Sequence, residues 1–137
     1  MDLIAGEKDV SFVIGTGDNF YDPDGILGVD DPRWHKDWAD IYQTKDYLKD
    51  LTWYGCLGNH DYNTQHMDAF FDFKQHGWRI DGHVWSHTHT LINDDVVAFV
   101  HIDTNFLTYG EDGEDSKNPG MTDNFAKYNM TDDWMLY

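Results

Sequence analysis

Two short stretches of the sequence carry side chains of the kinds that do hydrolytic chemistry. Asp18 and Tyr21 lie in the first stretch, and Asn59, His60 and Asp61 lie in the second. A carboxylate can bridge two cations, a phenol and an amide supply further oxygen donors, and an imidazole exchanges protons near neutral pH. Brought together, these five groups would form one wall of a two-metal hydrolytic site.

Each stretch follows an apolar run that predicts a buried strand. The runs cover residues 10–15 and 52–57 and are rich in β-branched and aromatic residues. Gly17 and Gly58 let the backbone turn sharply just before the polar residues. Ligands of open α/β sheets gather beyond the carboxyl ends of the strands, so we expect the two stretches to meet at one sheet edge.

Three motifs make the chain resemble a known family. They are Gly17-Asp18-Asn19-Phe20-Tyr21, Gly58-Asn59-His60-Asp61 and Ile102-Asp103-Thr104. Together they resemble the calcineurin-like metallophosphoesterases and, within these, the purple (tartrate-resistant) acid phosphatases. Tyr21 favours the purple acid branch, because the wider superfamily lacks that ligand. The resemblance covers roughly residues 1–108.

The resemblance implies a fold and a chemistry. The expected fold is α/β, a partial calcineurin-like α/β/β/α sandwich that lacks its first strand and its C-terminal strands, with residues 1–137 as one partial domain. The implied cofactor is a binuclear centre of Fe³⁺ and a divalent ion (Fe²⁺, Zn²⁺ or Mn²⁺). A metal-bound hydroxide would attack a phosphate monoester, as in an acid phosphatase.

The same resemblance assigns a role to each of the five side chains. Asp18 would bridge the metals, Tyr21 would bind the ferric ion as phenolate, and Asn59 would bind the divalent ion. His60 would protonate the leaving alkoxide, and Asp61 would orient or polarise His60. Simpler readings stay open: an Asx-turn at Asp18, an aromatic lid at Tyr21 and a polar turn over residues 59–61.

The number of ligands predicts an impaired centre. Of the family's usual seven ligand side chains, the motifs present here supply Asp18, Tyr21 and Asn59. A fragment of the enzyme with weak metal binding is therefore expected, and a noncatalytic remnant is the alternative. An acidic calcium-binding module is a third possibility, although Phe20 occupies the position where an EF-hand loop needs an oxygen ligand.

Several other polar residues are expected to lie outside the centre. His87 and His89 have the spacing of the family's Gly-His-x-His pair. In the family that pair follows the strand that corresponds to the one ending at Asp103, whereas His87 and His89 precede Asp103. Residues i and i+2 of a strand share one face, and we place both histidines on the exposed face of a hairpin. His101 is expected to be structural, and Asp103 to pack or to support a ligand.

Composition narrows the possible partners. The formal net charge is −17, from 26 acidic and 9 basic residues, which argues against a basic surface for nucleic acid or anionic membranes. Cys56 is the single cysteine, which excludes an intrachain disulfide framework. No signal peptide and no membrane-spanning run is visible, although enzymes of the purple acid family are usually secreted or lysosomal. Cellular location, substrate and oligomeric state stay open.

Periodicity predicts the remaining elements. Trp34, Trp38, Ile41 and Tyr42 recur at helical spacing and predict an aromatic core stripe. Two β-prone runs flanking residues 93–95 predict a hairpin. The other expectations are a tight turn at residues 22–25, helical turns at 46–51, a helix at 66–73, turns at 78–83, an exposed loop at 109–120 and a helix start at 131–137.

Overall fold

The computed structural model describes residues 1–21, 25–109 and 121–128 and has a mixed α/β architecture. The strands are β1 (Phe12–Gly15), β2 (Thr52–Gly55), β3 (Trp78–Arg79), β4 (Val84–Thr90) and β5 (Val96–Ile102). The α-helices are α1 (Asp2–Lys8), α2 (Asp68–Asp72), α3 (Asn105–Tyr109) and α4 (Met121–Lys127), with a π-helix at Trp34–Gln43 and a 3₁₀ helix at Asn59–Asn63. The predicted turn at 22–25 mostly lies outside the described residues, as do the predicted loop beyond Tyr109 and the helix start at 131–137.

The first layer is a parallel sheet of three strands in the order β1-β2-β3. Phe12 pairs with Thr52 and Gly15 with Gly55, so the two predicted strands run side by side and end together. This register places the residues that follow Gly15 and Gly55 at the same edge. It is the arrangement that the sequence predicted for the two polar stretches.

Aromatic side chains fill the space between one face of the sheet and the π-helix. Trp34 and Trp38 are 0% and 4% exposed, and the Trp34 ring stacks on Phe73 with centroids 4.0 Å apart. The predicted stripe is wrong at Ile41, which is 45% exposed. A π-helix has a wider turn than an α-helix, so residues four apart stay aligned while a residue three positions after Trp38 rotates out of the core.

The predicted hairpin is confirmed as β4 and β5, which pair antiparallel from Val84↔Ile102 to Thr90↔Val96. Its inner face covers the other side of the parallel sheet. The ring of His87 stacks on Tyr54 of β2 with centroids 3.6 Å apart, and the indole of Trp85 donates a hydrogen bond to the Gly55 carbonyl at 3.1 Å. Sheet, hairpin and helices thus form the layers of a partial α/β/β/α sandwich, as predicted.

The prediction that His87 and His89 lie on the exposed face is wrong. His87 is 8% exposed, and both histidine rings contact Phe12 of β1, with centroids 6.0 Å and 5.0 Å away. The two residues do share a face. Alternation also puts Trp85 on that face, and the gain from burying its large apolar ring turns the histidines inward with it.

The predicted turn region at 78–83 contains one further strand. Trp78 and Arg79 pair with Trp53 and Tyr54 as the third parallel strand. A sharp turn at His76 and Gly77, both with positive φ, redirects the chain into this pairing.

None of the helices in the described part of the chain is long and apolar enough to cross a membrane.

Candidate metal and phosphate site

The site forms where the two loops after β1 and β2 touch through glycine backbones. A Cβ on Gly17 would lie 2.8 Å from the Gly58 Cα, and a Cβ on Gly58 would lie 2.2 Å from the Asp18 nitrogen. Gly17 also has a φ of +104°, which favours glycine. Only residues without side chains allow this approach, and it brings the two polar stretches together.

Asp18 is the centre of the resulting cluster. Its Oδ1 accepts a hydrogen bond from the His60 backbone nitrogen at 3.0 Å, and its Oδ2 accepts one from the Tyr21 hydroxyl at 3.1 Å. The residue has a φ of +51°, a left-handed conformation that aspartate tolerates better than most side chains. The loop therefore holds the carboxylate between the two motifs.

Tyr21 lies beside Asp18 on the open side of the site. Its side chain is 68% exposed, and its ring lies 4.5 Å from the His60 ring, centroid to centroid. The hydrogen bond to Asp18, followed by the negative charge of that carboxylate, raises the pKa of Tyr21. A bound cation would have the opposite effect, because it would stabilise the phenolate.

The carboxylate of Asp61 contacts the first loop and the Gly58 backbone, and the hydrogen bonds described below do not include the His60 ring that it was predicted to orient. Its carboxylate is 1% exposed and accepts four hydrogen bonds: from the Asn19 backbone and side-chain nitrogens at 2.9 and 2.8 Å, from the Gly58 nitrogen at 2.9 Å and from the Phe20 nitrogen at 3.2 Å. These bonds use the acceptor capacity of a carboxylate, which has about four lone-pair sites. Asp61 therefore ties the two loops together, and the His60 ring lies against Tyr21 instead.

Burial acts on this tie electrostatically. Desolvation raises the pKa of Asp61 to about 7, although the hydrogen bonds from Gly58, Phe20 and Asn19 pull in the other direction. The bonded donors are what keep the ionised form accessible in so dry a position. Asn19 was not singled out from the sequence, although it lies inside the first motif beside Asp18.

A second buried network supports the 3₁₀ helix that carries Asn59 and His60. The Tyr62 hydroxyl donates to Asp103, and the His83 Nδ1 lies 3.0 Å from the same carboxylate oxygen. Asp103 is 0% exposed, and its other oxygen accepts bonds from the backbone and side chain of Asn105. The burial of Asp103 agrees with the packing role that was one of its two predicted roles. Tyr62 was not singled out from the sequence, and His83 attracted notice only because it follows Gly82 near His87 and His89.

The cluster opens into a cavity of about 450 Å³. Its lining includes Asp18, Tyr21 and Asn59 together with Thr104 and other residues of the segment that enters α3. Cys56 also lines this cavity and is half-buried, and burial raises the pKa of its thiol. The space is wide enough for a small anion and the polar end of an ester.

The donor atoms suit a hard cation. Carboxylate, phenol and amide oxygens are the donors that hard, highly charged ions prefer. If the Tyr21 hydroxyl proton were lost, two anionic oxygens would face each other across 3.1 Å, close to the separation of neighbouring oxygens around a small octahedral ion. Within the described residues, no group of three or more histidine, cysteine, aspartate or glutamate side chains comes together to hold a metal. The site thus fits a cation but supplies few of its ligands.

Comparison with known proteins identifies the family. The model of the calcineurin-like phosphoesterase family matches residues 1–135, so the chain belongs to that family. It is similar to purple acid phosphatase 7 of Arabidopsis thaliana, with 50% identity over 60 residues, or 43% of this chain and 17% of that protein. Purple acid phosphatases 4 and 17 of the same plant match at 44% over 62 residues and 47% over 58 residues. The matched segment is thus about a sixth of each relative's length.

One solved structure supports the fold. A structure described as GAP50, the anchor in the inner membrane complex of Plasmodium, superposes with a TM-score of 0.51 at 18% identity, over 72% of this chain and 33% of that one. At this identity the likeness concerns the fold alone. The predicted family and the partial calcineurin-like fold are both confirmed.

Proposed function

We propose that the site at the ends of β1 and β2 hydrolyses phosphate monoesters, in the manner of a purple acid phosphatase. The observation that carries the proposal is the convergence of Asp18, Tyr21 and His60: one Asp18 oxygen accepts a hydrogen bond from the His60 backbone nitrogen at 3.0 Å, and the other accepts one from the Tyr21 hydroxyl at 3.1 Å. Family membership and the relatives named above support the same reaction. These relatives are far longer than the matched segment, so activity of this chain is itself part of the proposal.

Metal ions complete the proposed chemistry. Asp18, Tyr21 and Asn59 would hold them, with Fe³⁺ beside the Tyr21 phenolate and a divalent ion (Fe²⁺, Zn²⁺ or Mn²⁺) beside Asn59. When bound, such ions lower the pKa of water and offset the charge that develops on a phosphoryl group. The acidic surface of a chain with net charge −17 repels anionic esters, so this local positive charge also serves binding.

His60 would act as the general acid. Its ring is half-buried and lies tilted against the Tyr21 ring, with centroids 4.5 Å apart, which limits its rotation without removing it from solvent. From this position its imidazole could deliver a proton to the leaving alkoxide. Asp61 would contribute by fixing the two loops rather than by polarising the imidazole.

A noncatalytic member of the family is the second candidate. Its motivation is the donor set, because three oxygen ligands are few for two ions. On this view the fold is retained, the site binds at most one ion weakly, and no ester is turned over.

Hydrolysis of an aryl phosphate at mildly acidic pH, with Fe³⁺ and Zn²⁺ supplied, separates the two candidates. We expect Asp18→Asn to lower the rate at least tenfold, because it removes the charge that both ions share. Asp40→Asn, at an exposed position of the π-helix, is the matched control and should leave the rate unchanged. Equal background rates for the wild type and Asp18→Asn would favour the noncatalytic protein.

A further inference from the structure

Two histidines occupy positions where the hairpin packs on the sheet. His87 of β4 and His101 of β5 are 8% and 6% exposed. The His87 ring lies between Tyr54 and Phe99, with centroid distances of 3.6 and 5.0 Å, and the His101 ring stacks on Trp85 at 4.2 Å. The contact between the hairpin and the parallel sheet is therefore built from titratable rings inside an aromatic stack.

A hydrogen bond joins the two histidines. The His101 Nε2 and the His87 Nδ1 are 3.2 Å apart, so one nitrogen must carry a proton and the other must be bare. One added proton on the pair is compatible with this bond. A second added proton puts N–H against N–H and two positive charges side by side, so the bond is lost.

The surroundings oppose charge on the pair. The His87 Nε2 is buried and has no hydrogen-bond partner among the described residues, so nothing there would stabilise its proton. The positive charges of Arg79 on β3 and His89 on β4 lower the pKa of His87. The negative charge of Asp81 acts in the opposite direction. Asp81 also forms ion pairs with Arg79 and Lys74. From β1 the nearest ring is the neutral Phe12, and from β2 it is Tyr54.

We propose that the His87–His101 pair makes docking of the β4–β5 hairpin on the parallel sheet sensitive to acid. The neutral pair holds the hairpin on β1 and β2, and the doubly protonated pair releases it. The C-terminal end of the hairpin leads through Ile102 into Thr104, and both residues line the cavity beside Asp18. Release would therefore open one wall of the candidate site, whether or not that site hydrolyses esters.

The pH range follows from the direction of the shifts. Burial lowers the pKa of His87, with a further contribution from Arg79, and burial followed by the charge of His87 lowers the pKa of His101. Because docking lowers the pKa of both histidines, the hairpin stays docked above about pH 6.5, the pKa of a free imidazole. Docking weakens as the pH falls below this value towards the lower pKa values of the docked histidines. Each pKa unit by which docking lowers an imidazole multiplies the released population tenfold at low pH.

The indole N–H of Trp85 reports docking directly, since it donates to Gly55 of the sheet at 3.1 Å. The indole N–H of Trp34 donates to the Gly28 carbonyl at 2.9 Å, away from the hairpin, and is an internal control. NMR can measure the hydrogen exchange rate of both indole groups from pH 7.5 to pH 4.5. The ratio of the two rates cancels the intrinsic pH dependence of exchange. We expect exchange of Trp85 relative to Trp34 to become at least tenfold faster on acidification.

Variants assign the effect to the pair. His101→Phe combined with His87→Phe keeps both aromatic rings while removing both titrations, and we expect the exchange ratio of this double variant to become independent of pH. His101→Phe alone leaves His87 to titrate and should show a smaller acid response than the wild type. His66→Gln, at an exposed position, should behave as the wild type. The proposal is overturned by a wild-type ratio that does not change with pH, by an acid response that survives in the double variant, or by a response of full wild-type size in His101→Phe. If the double variant does not fold, the wild-type titration and the single variant still decide.

Discussion

Replacement of Asp61 by alanine should destabilise the fold as well as the site. The change leaves four donors from Asn19, Phe20 and Gly58 without their acceptor. At about 1 kcal/mol for each net hydrogen bond, the upper figure is about 4 kcal/mol. Water can reach the partly exposed loops and hydrogen-bond some of the freed donors. We therefore expect the free energy of unfolding to fall by about 2 to 3 kcal/mol.

Urea denaturation followed by circular dichroism measures this loss. For an m-value of about 2 kcal/mol/M, the expected change lowers the unfolding midpoint by about 1 to 1.5 M. Asp61→Asn keeps the shape but places an amide NH₂ against donors, and should cost about half as much. Asp40→Asn is exposed and should stay within about 0.5 kcal/mol of the wild type. If Asp61→Ala unfolds at the same urea concentration as this control, the carboxylate does not tie the two loops together.

Three further predictions concern the glycine contact, the aromatic core and a largely buried ion pair. Gly58→Ala places a Cβ 2.2 Å from the Asp18 nitrogen and should weaken Zn²⁺ binding in calorimetry at least tenfold, whereas Gly15→Ala, whose Cβ would meet only Asn19 at 3.6 Å, should bind normally. Trp34→Ala empties a fully buried site and should cost about 3 to 5 kcal/mol in urea, and a loss below 1 kcal/mol would contradict the described core. Burial would raise the pKa of Asp31, but hydrogen bonds and charge from Arg33 lower it. The lowered pKa stabilises the fold above about pH 4, and this stabilisation is lost as the pH falls further. Arg33→Ala should therefore flatten the curve of unfolding free energy against pH below about pH 4.

The site could be predicted because its signal is local. Gly17-Asp18 and Gly58-Asn59-His60 each follow a β-prone run, and parallel strands that end together necessarily present their loops at one edge. The contact between Gly17 and Gly58 was not predicted, and the absence of side chains at both positions is what permits it. Nothing beyond the order of residues along the chain was needed to place these groups together.

The partners of Asp61 could not be predicted, because they are contacts between loops. Asn19 and Gly58 are 42 and 3 residues away along the chain, and which donors face a buried carboxylate depends on how the two loops cross. A resemblance assigns Asp61 to its neighbour His60, whereas the geometry gives it to Asn19 and to backbone nitrogens. Adjacency in sequence is a poor guide to which side chain a carboxylate contacts.

The hairpin shows the same limit at a larger scale. Period-two alternation predicts that His87 and His89 share a face, but it does not say which face meets the core. Trp85 decides this, because its indole reaches the Gly55 carbonyl of the neighbouring sheet. The prediction that Ile41 is buried was wrong for a related reason. The wider turn of a π-helix changes which residues share one face of this ten-residue helix.

The central claim is that Asp18, Tyr21 and Asn59 form a cation site, and ferric titration tests it most directly. A phenolate bound to Fe³⁺ gives a visible charge-transfer band, the source of colour in the purple acid phosphatases that this chain resembles. We predict that Fe³⁺ produces this band in the wild type and in Tyr47→Phe, whose side chain is exposed elsewhere, but not in Tyr21→Phe. Absence of the band in the wild type, or its persistence in Tyr21→Phe, would contradict the account.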